Sequence, residues 1–384
     1  MAPLWQQCCR SARKVDNGHV NSGSGDGRGG VNLPTLRGYN EALMLDLLRG
    51  ADPEGLGRAE LADRAGLTPQ AVSKITARLG ADGLIEEAGR AASTGGKPRT
   101  LLRLVPEARH ALGVHLDRDE LRVVRVDLAG HVVAENRGPL DFAVGPDAVL
   151  EAVVQAVARV RDPAGPPLLG VGVAAPGPLD HRSGVMGRVT GFPEWEGFRM
   201  RELLEGRLGL PVLVDKDTNA GVAAEGSGRS GGCGPGTSVY LHVGTGLGAG
   251  LWLGGGIYRG ARSAAGEFGH QVISLDGPPC PCGARGCAEV LCLGAVARGD
   301  LAEAARVLGV AASNLVALLD VDRVLLGGRA VAAAPAVFLS GVREVLVERA
   351  AVPAAMPVVA LARMGVAEGA AELALGPTFG RRAG

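Results

Sequence analysis

The sequence predicts an α/β protein in two parts, a small helical head and a larger body of alternating strands and helices. Three observations predict it. Residues 40–79 hold three apolar-periodic segments punctuated by Gly50 and Gly66, which is a three-helix pattern. Residues 106–384 alternate buried-type strands with helical segments, the mark of an α/β domain. A Gly/Pro-rich run at 266–289 concentrates three of the seven cysteines beside a histidine, which implies a metal rather than a disulfide scaffold.

Composition limits the function classes. At 384 residues there is room for two or three domains, and 46% hydrophobic content supplies their cores. Aromatic residues make up 3%, too few for a single-strand stacking platform. Net charge is zero, so any nucleic-acid contact must use a local basic patch. No apolar run approaches the ~18 residues of a membrane span, and the N-terminus lacks a signal-peptide core. A reducing cytoplasm is the expected compartment. Glycine is abundant, 61 of 384, so a lone Gly-rich match carries little weight.

Residues 1–36 carry SGSGDGRGG and little that is apolar, so a disordered tail is expected. Residues 37–105 form the head. Asn40–Arg49 has helical spacing and stops at Gly50; a second helix is expected over Arg58–Ala65. Thr68 is a good N-cap and Pro69 suits the first helical position, so a third helix starts there and runs to about Leu79. Val72, Ile75 and Leu79 fall on its inner side; Gln70, Ser73, Lys74 and Arg78 fall outside. This is the helix-turn-helix pattern with the third helix as reader. Two strands then flank a tip at Ala91–Gly96. Arg90, Lys97, Arg99 and Arg103 make this hairpin basic, with no acidic residue between 88 and 103. Over 37–103 ten basic residues face nine acidic ones, so positive charge is concentrated where a phosphate backbone would be met. The alternative is a small protein-binding domain with a solvated hairpin.

In the body, 112–135 reads as three strands joined by turns, 146–160 as a helix, 168–180 as a buried strand with a Gly/Pro turn, 200–208 as a helix and 212–214 as a strand. The segment GEFGHQVISLDGPPCPCGARGCAE (266–289) contains H-x9-C-x-C-x4-C, formed by His270, Cys280, Cys282 and Cys287. Four such ligands close a tetrahedral shell, which makes a structural zinc site the expectation; a chance cluster or a disulfide pair are the alternatives.

This segment resembles the zinc signature of the ROK family (repressors, open reading frames and sugar kinases), and the resemblance extends over nearly all of 106–384. It implies two actin-like, ribonuclease H-like lobes of the sugar-kinase fold, with sugar and nucleotide between them. Residues 37–105 resemble the winged helix of MarR-type and ROK-type regulators, with Gly95–Arg99 (GGKPR) similar to a ROK wing. Thr68, Gln70, Ser73, Lys74, Arg78, Lys97 and Arg99 are then the DNA-facing residues. By the same resemblance, Glu267, His270 and Glu289 hold sugar hydroxyls. Asp217, in the segment DKDTNA (215–220), takes the place of the kinases' catalytic base, and Lys216 replaces an Asn that usually contacts sugar. Read without the family, Asp217 is also a helix N-cap. An ammonium at 216 raises the expectation of a phosphorylated sugar. VGTGLGAG (243–250), with Gly244, Thr245, Gly246 and Gly248, resembles the second phosphate loop, and Gly327 and Gly328 the turn beneath adenosine; a Gly-rich hairpin would read the same.

Departures from the family separate kinase from regulator. The early D-x-G-G-T turn that grips ATP phosphates is His115-Leu116-Asp117-Arg118-Asp119 here: both glycines are gone and two carboxylates are present. A family Asn is missing from Thr190–Trp195. The stretch between Cys292 and Leu315 is shorter than in the family, with second-lobe helices lost. The expectation is a sugar- or sugar-phosphate-responsive transcriptional regulator, most simply a repressor, that binds double-stranded operator DNA as a homodimer or homotetramer. The alternative is an ATP-dependent sugar kinase with a DNA-binding head.

Overall fold

Apolar residues at helical spacing put Met44, Leu45 and Leu48 on one buried face of the first helix, α1 (Leu33–Arg49). A computed structural model of the chain describes residues 33–90, 99–226, 236–349 and 356–381. Helix α1 starts inside the segment expected to be a disordered tail, because Pro34 is compatible with a first helical turn. Residues 1–32 lie outside the described residues, as does the wing tip at 91–98 with Lys97.

The rest of the head follows the sequence signals. Strand β1 (Leu56–Gly57) leads into α2 (Arg58–Ala65), which ends at Gly66 in the left-handed conformation, φ 64°. Helix α3 (Pro69–Ala81) is capped by the Thr68 side chain, which accepts from the Ala71 N–H at 3.3 Å. Strands β2 (Ile85–Arg90) and β3 (Thr100–Leu104) form the wing, and β1 joins them in the order β1-β3-β2. A two-residue strand carries no readable alternation, so β1 has no sequence signal.

The first lobe is a five-stranded sheet, order β10-β7-β4-β5-β6, from β4 (His110–Leu116), β5 (Glu120–Asp127), β6 (Val132–Pro139), β7 (Leu168–Ala175) and β10 (Val212–Lys216). Helices α4 (Pro146–Val160) and α5 (Met200–Leu208) cover its outer face, and a small ladder, β8 (Leu179–Asp180) with β9 (Val185–Met186), lies beside it. After α6 (Asp217–Gly226), the second lobe repeats the topology in the order β13-β12-β11-β14-β15. Its strands are β11 (Ser238–Val243), β12 (Leu247–Leu253), β13 (Gly256–Ile257), β14 (Arg323–Gly327) and β15 (Val358–Leu361). In each sheet three antiparallel strands are extended by two parallel ones.

Helices α7 (Ala288–Ala297), α8 (Leu301–Leu319), α9 (Arg329–Ala333) and α10 (Pro335–Arg349) complete the second lobe. Helices α7 and α8 are separated only by residues 298–300, in keeping with the expected shortening. By length and composition α8 alone among the described helices would span a bilayer. It instead buries Ala304, Ala305, Leu308 and Ala312 in one core with Phe338, Val342 and Leu346 of α10. Helix α11 (Val366–Leu375) lies against the inner face of the first sheet, where a Cβ at Gly113 would sit 1.9 Å from the Ala367 carbonyl. It also meets α6 closely: a Cβ at Gly369 would lie 1.9 Å from the Ala220 carbonyl.

Head and body share one core. Leu45, Leu48, Leu61 and Leu79 cluster with Val124, Val126, Ala371, Leu375 and Phe379, and residues 38–384 form one compact unit. The change at residues 105–106 is one of architecture without a linker.

Candidate functional site

Strand β10 ends at the cleft between the lobes and delivers three charged residues in a row. Asp215 is buried and accepts from Arg259 Nε at 2.7 Å, Asn219 Nδ2 at 2.7 Å and the Lys216 N–H at 2.8 Å. That network fixes the strand end. Lys216 is also buried; its Nζ donates to Glu267 Oε1 at 2.9 Å and to the Ala265 carbonyl at 2.5 Å. Its stem crosses Gly177, where a Cβ would lie 2.6 Å from Lys216 Cδ, so that glycine makes room for the lysine. The ammonium is therefore already occupied, and the expectation that it recruits a phosphate is not carried by this geometry. Asp217 opens α6 and accepts from the Thr218 N–H at 2.6 Å. Burial pushes its pKa above the ordinary carboxylate value, and the nearby Asp117 adds to the rise.

Asp217, Lys216, Glu267, His270 and Glu289 line one cavity of about 360 Å³ with Thr245, Gly246 and Gly248. Glu289 Oε2 accepts from the Leu247 N–H at 2.9 Å, which leaves its second oxygen for a hydroxyl. Every sugar-site residue expected from the sequence is thus brought to one place.

His270, Cys280, Cys282 and Cys287 offer four ligand atoms within 4.8 Å of one another. Cys280 Sγ lies 3.7 Å from His270 Nδ1, and Cys282 Sγ lies 3.7 Å from Cys287 Sγ. Those spacings match the ~3.7 Å edges of a tetrahedron built on metal–sulfur bonds of about 2.3 Å. The cluster therefore fits a four-coordinate metal ion. With Nδ1 turned toward Cys280, Nε2 of His270 is left for the cavity.

The expected phosphate elements are rebuilt for other purposes. The β4–β5 turn presents Asp117, which accepts from the Arg118 N–H at 2.7 Å and closely from the Thr245 hydroxyl. Burial works against its charge, but those hydrogen bonds and nearby cations hold its pKa below the ordinary value. Arg329, at the start of α9 in the other lobe, donates to Asp117 at 2.7 Å and to both Asp119 oxygens at 2.6 and 2.5 Å. An ion-pair clasp thus joins the lobes at the turn where a kinase holds phosphate. His115 is buried edge-on to His242, ring centroids 6.2 Å apart; burial first, and His242 second, depress its pKa to about 3.

The loop expected over 243–250 is a tight turn at 244–246. Gly248 belongs to strand β12, where a Cβ would lie 2.8 Å from Thr218 Cγ2. A Cβ at Gly327 would lie 2.5 Å from the Tyr240 hydroxyl, and Gly328 has φ 94° against the Val243 backbone. Close packing accounts for Gly248, Gly327 and Gly328 without a nucleotide.

On the head, Thr68, Gln70, Ser73, Lys74 and Arg78 are exposed along α3, and Arg99 is exposed at the wing base. Several of the counted cations are paired: Arg49 with Glu372, Arg64 with Glu60, Arg78 with Glu41 and, in the wing, Arg103 with Glu86, each at 2.5 Å. The wing is less positive than its sequence suggests. Arg259 and Arg329 were missed as site residues, since each acquires its role from a partner far along the chain, and Arg118 and Arg188 were missed although they line the cavity.

A ROK family model matches residues 111–301. Residues 111–301 carry a ROK family domain. The putative xylose repressor of Caldicellulosiruptor sp. (strain Rt8B.4) is 29% identical over 262 residues, which cover 67% of this chain and 64% of that protein. The DNA-binding transcriptional dual regulator NagC of Escherichia coli K12 is 32% identical over 270 residues, covering 68% and 64%. Each of these matches thus spans somewhat less than two thirds of the relative. A solved ROK family transcriptional regulator, a homologue of the E. coli MLC protein, covers 90% of this chain and 98% of its own at TM-score 0.71 and 20% identity, a likeness of fold. The ROK hexokinase of Thermus thermophilus covers 68% of this chain and 97% of its own at TM-score 0.54 and 29% identity. ROK kinase-like lobes and a helical head therefore share one chain.

Proposed function

We propose that this ROK protein is a sugar-responsive DNA-binding transcriptional regulator, most simply a repressor, working in the cytoplasm. The observation that carries the reading is the clasp from Asp117 and Asp119 to Arg329. It fills the turn where a kinase needs open backbone for phosphates, while the hydroxyl-reading wall of Asp217, Glu267, His270 and Glu289 is kept. The relatives named xylose repressor and N-acetylglucosamine repressor support a sugar or a sugar derivative as effector.

In this reading α3 enters the major groove with Thr68, Gln70, Ser73, Lys74 and Arg78, and Lys97 and Arg99 of the wing meet the backbone. A two-fold dimer, or a tetramer built from it, presents two heads to a palindromic operator. The ion in the His270, Cys280, Cys282 and Cys287 cluster is zinc, held structurally, since four protein ligands leave no open position for water. Its role is to fix the loop that carries Glu267 and Glu289 about the cavity. Effector binding shifts the lobe arrangement by as much as the ligand prefers one arrangement over the other. The shared core of α1, β5 and α11 offers the head a rigid connection to that movement.

The test is fluorescence anisotropy of the protein on its own upstream DNA with a panel of sugars and sugar phosphates, run beside a coupled ATP-consumption assay. Sequence-specific binding altered by one compound supports the reading. Sugar-dependent ATP consumption without specific DNA binding would replace it with the kinase.

A further inference from the structure

The sugar cavity contains two cations that its neutral chemistry does not use. Seven acidic or basic side chains line it: Asp117, Asp217, Glu267, Glu289, Arg118, Arg188 and Lys216. Asp117 is taken by Arg329 and Thr245, and Lys216 and Glu267 satisfy each other. Among the described residues, Asp217 and Glu289 are held only by backbone N–H groups and can accept hydrogen bonds from hydroxyls. Among the described residues, neither the Arg118 nor the Arg188 guanidinium has a carboxylate partner.

Arg118 is held in place, unlike a mobile surface arginine. Its guanidinium carbon sits 5.7 Å from the centre of the Phe192 ring. Phe192 stands edge-on to Phe142, whose buried ring is stacked on Trp195 at 4.0 Å. Its Nη2 and Glu289 Oε2 both flank Gly246, at 3.8 and 3.2 Å from where a Cβ would lie. A planar cation therefore stands beside a hydroxyl-accepting carboxylate. Arg188 is exposed at the same cavity, beyond the Pro176-Gly177-Pro178 turn.

We propose that the effector carries an anionic substituent, a phosphate or a carboxylate, and that Arg118 and Arg188 bind it while Asp217, Glu267, His270 and Glu289 read its hydroxyls. The proposal rests on the reading of this cavity as a sugar site. Guanidinium groups match phosphate and carboxylate oxygens in pairs, with charge-assisted hydrogen bonds about twice as strong as neutral ones. A neutral sugar would leave both cations to water. Lys216, the cation the sequence singles out, is not the anion holder, because Glu267 and the Ala265 carbonyl already engage its ammonium.

Calorimetric titration of the intact protein, without DNA, tests this with matched pairs. These are glucose with glucose 6-phosphate, N-acetylglucosamine with its 6-phosphate, and glucose with glucuronate; inorganic phosphate is the control. One charged member is expected to bind about 10- to 100-fold tighter than its neutral parent, the worth of one good charged hydrogen-bond set. Arg118→Met and Arg188→Met, each with an unchanged melting temperature, are expected to bring it down to the parent's affinity, and Arg118→Lys to keep part of the preference. The phosphate and glucuronate arms separate the two anions. A neutral sugar that binds as tightly as its charged partner overturns the proposal and leaves the sugar reading standing. So does a charge preference that survives in the double variant, or inorganic phosphate that matches the sugar phosphate. No binding by any member removes the sugar reading and the proposal together.

Discussion

Glu372→Gln is the most informative single change outside the cavity, because it strands a charge between head and body. Arg49, the last residue of α1, donates to Glu372 of α11 through Nη1 at 2.9 Å and Nη2 at 2.5 Å. Both side chains are 2% exposed. The Arg49 guanidinium also stacks on Phe379 at 4.3 Å. A glutamine keeps the shape and removes the charge, leaving a buried guanidinium uncompensated. Breaking such a pair costs about 3–5 kcal/mol. Unfolding entropy near 2.1 cal/mol/K per residue, over the roughly 350 residues of the compact unit, gives about 0.7 kcal/mol/K. The melting temperature should therefore fall by about 4–7 °C in differential scanning calorimetry. Arg381, 3.5 Å from the same carboxylate, loses an attraction as well. Replacing both partners, Arg49→Met with Glu372→Leu, should recover most of the loss, since an apolar pair of similar volume has no stranded charge. A Glu372→Gln protein that melts within about 1 °C of wild type would refute the argument that this pair ties head to body.

Further outcomes follow from the same geometry. Cys282→Ser should lower bound metal from about one equivalent per chain to well under one by mass spectrometry, and unchanged metal content would remove Cys282 from the ligand set. His115 is buried among His242, Asp117, Arg122 and Arg329 with its pKa depressed to about 3. Between pH 6.5 and about 3 the unfolded chain binds a proton there that the folded chain does not, so this contribution to stability is present above pH 6.5 and is lost as pH falls through that window. Denaturant titrations of His115→Leu should show a shallower loss of stability below pH 6.5, by up to ~1.4 kcal/mol per pH unit; an unchanged slope would count against the buried neutral imidazole. Arg329→Met breaks a partly exposed clasp, so stability should change by about 1 kcal/mol or less while amide exchange rises at residues 117–120 and 328–331. Protection that stays the same in both segments would argue that the lobes are joined elsewhere. Arg99→Ala should weaken operator binding evenly across sequences and lower the salt slope by about one unit; an unaltered slope would take Arg99 off the phosphate backbone.

Local signals were the legible ones. Thr68–Pro69 announces the start of α3 and Gly66 the end of α2, because capping and left-handed turns are settled within four residues. Residues 112–135 read as three strands because half-buried and buried strands write their burial into residue type. The cysteine cluster was legible for the same reason: three of its ligands lie within eight residues, and the turns that gather them are written in Gly and Pro. The start of α1 was read late because the glycine-rich stretch before it masks the first turn, in which Pro34 is tolerated. Gly248, read with the phosphate loop, and Gly327 and Gly328, read with the turn beneath adenosine, are also close-packing positions, because a sequence records that a Cβ is absent and not what approaches it.

By itself, then, the sequence determined most elements up to residue 214, the three-helix head with its hairpin, the grouping of His270 with Cys280, Cys282 and Cys287, and the residues that gather at the cleft cavity. Tertiary structure alone decided how charge is spent. Lys216 and Glu267 are 51 residues apart, Asp119 and Arg329 210, and Arg49 and Glu372 323. Whether a cation is a ligand for something else, a clasp or a tether depends on which carboxylate the fold brings within reach. Coulomb energy follows distance in space, and distance along the chain does not report it.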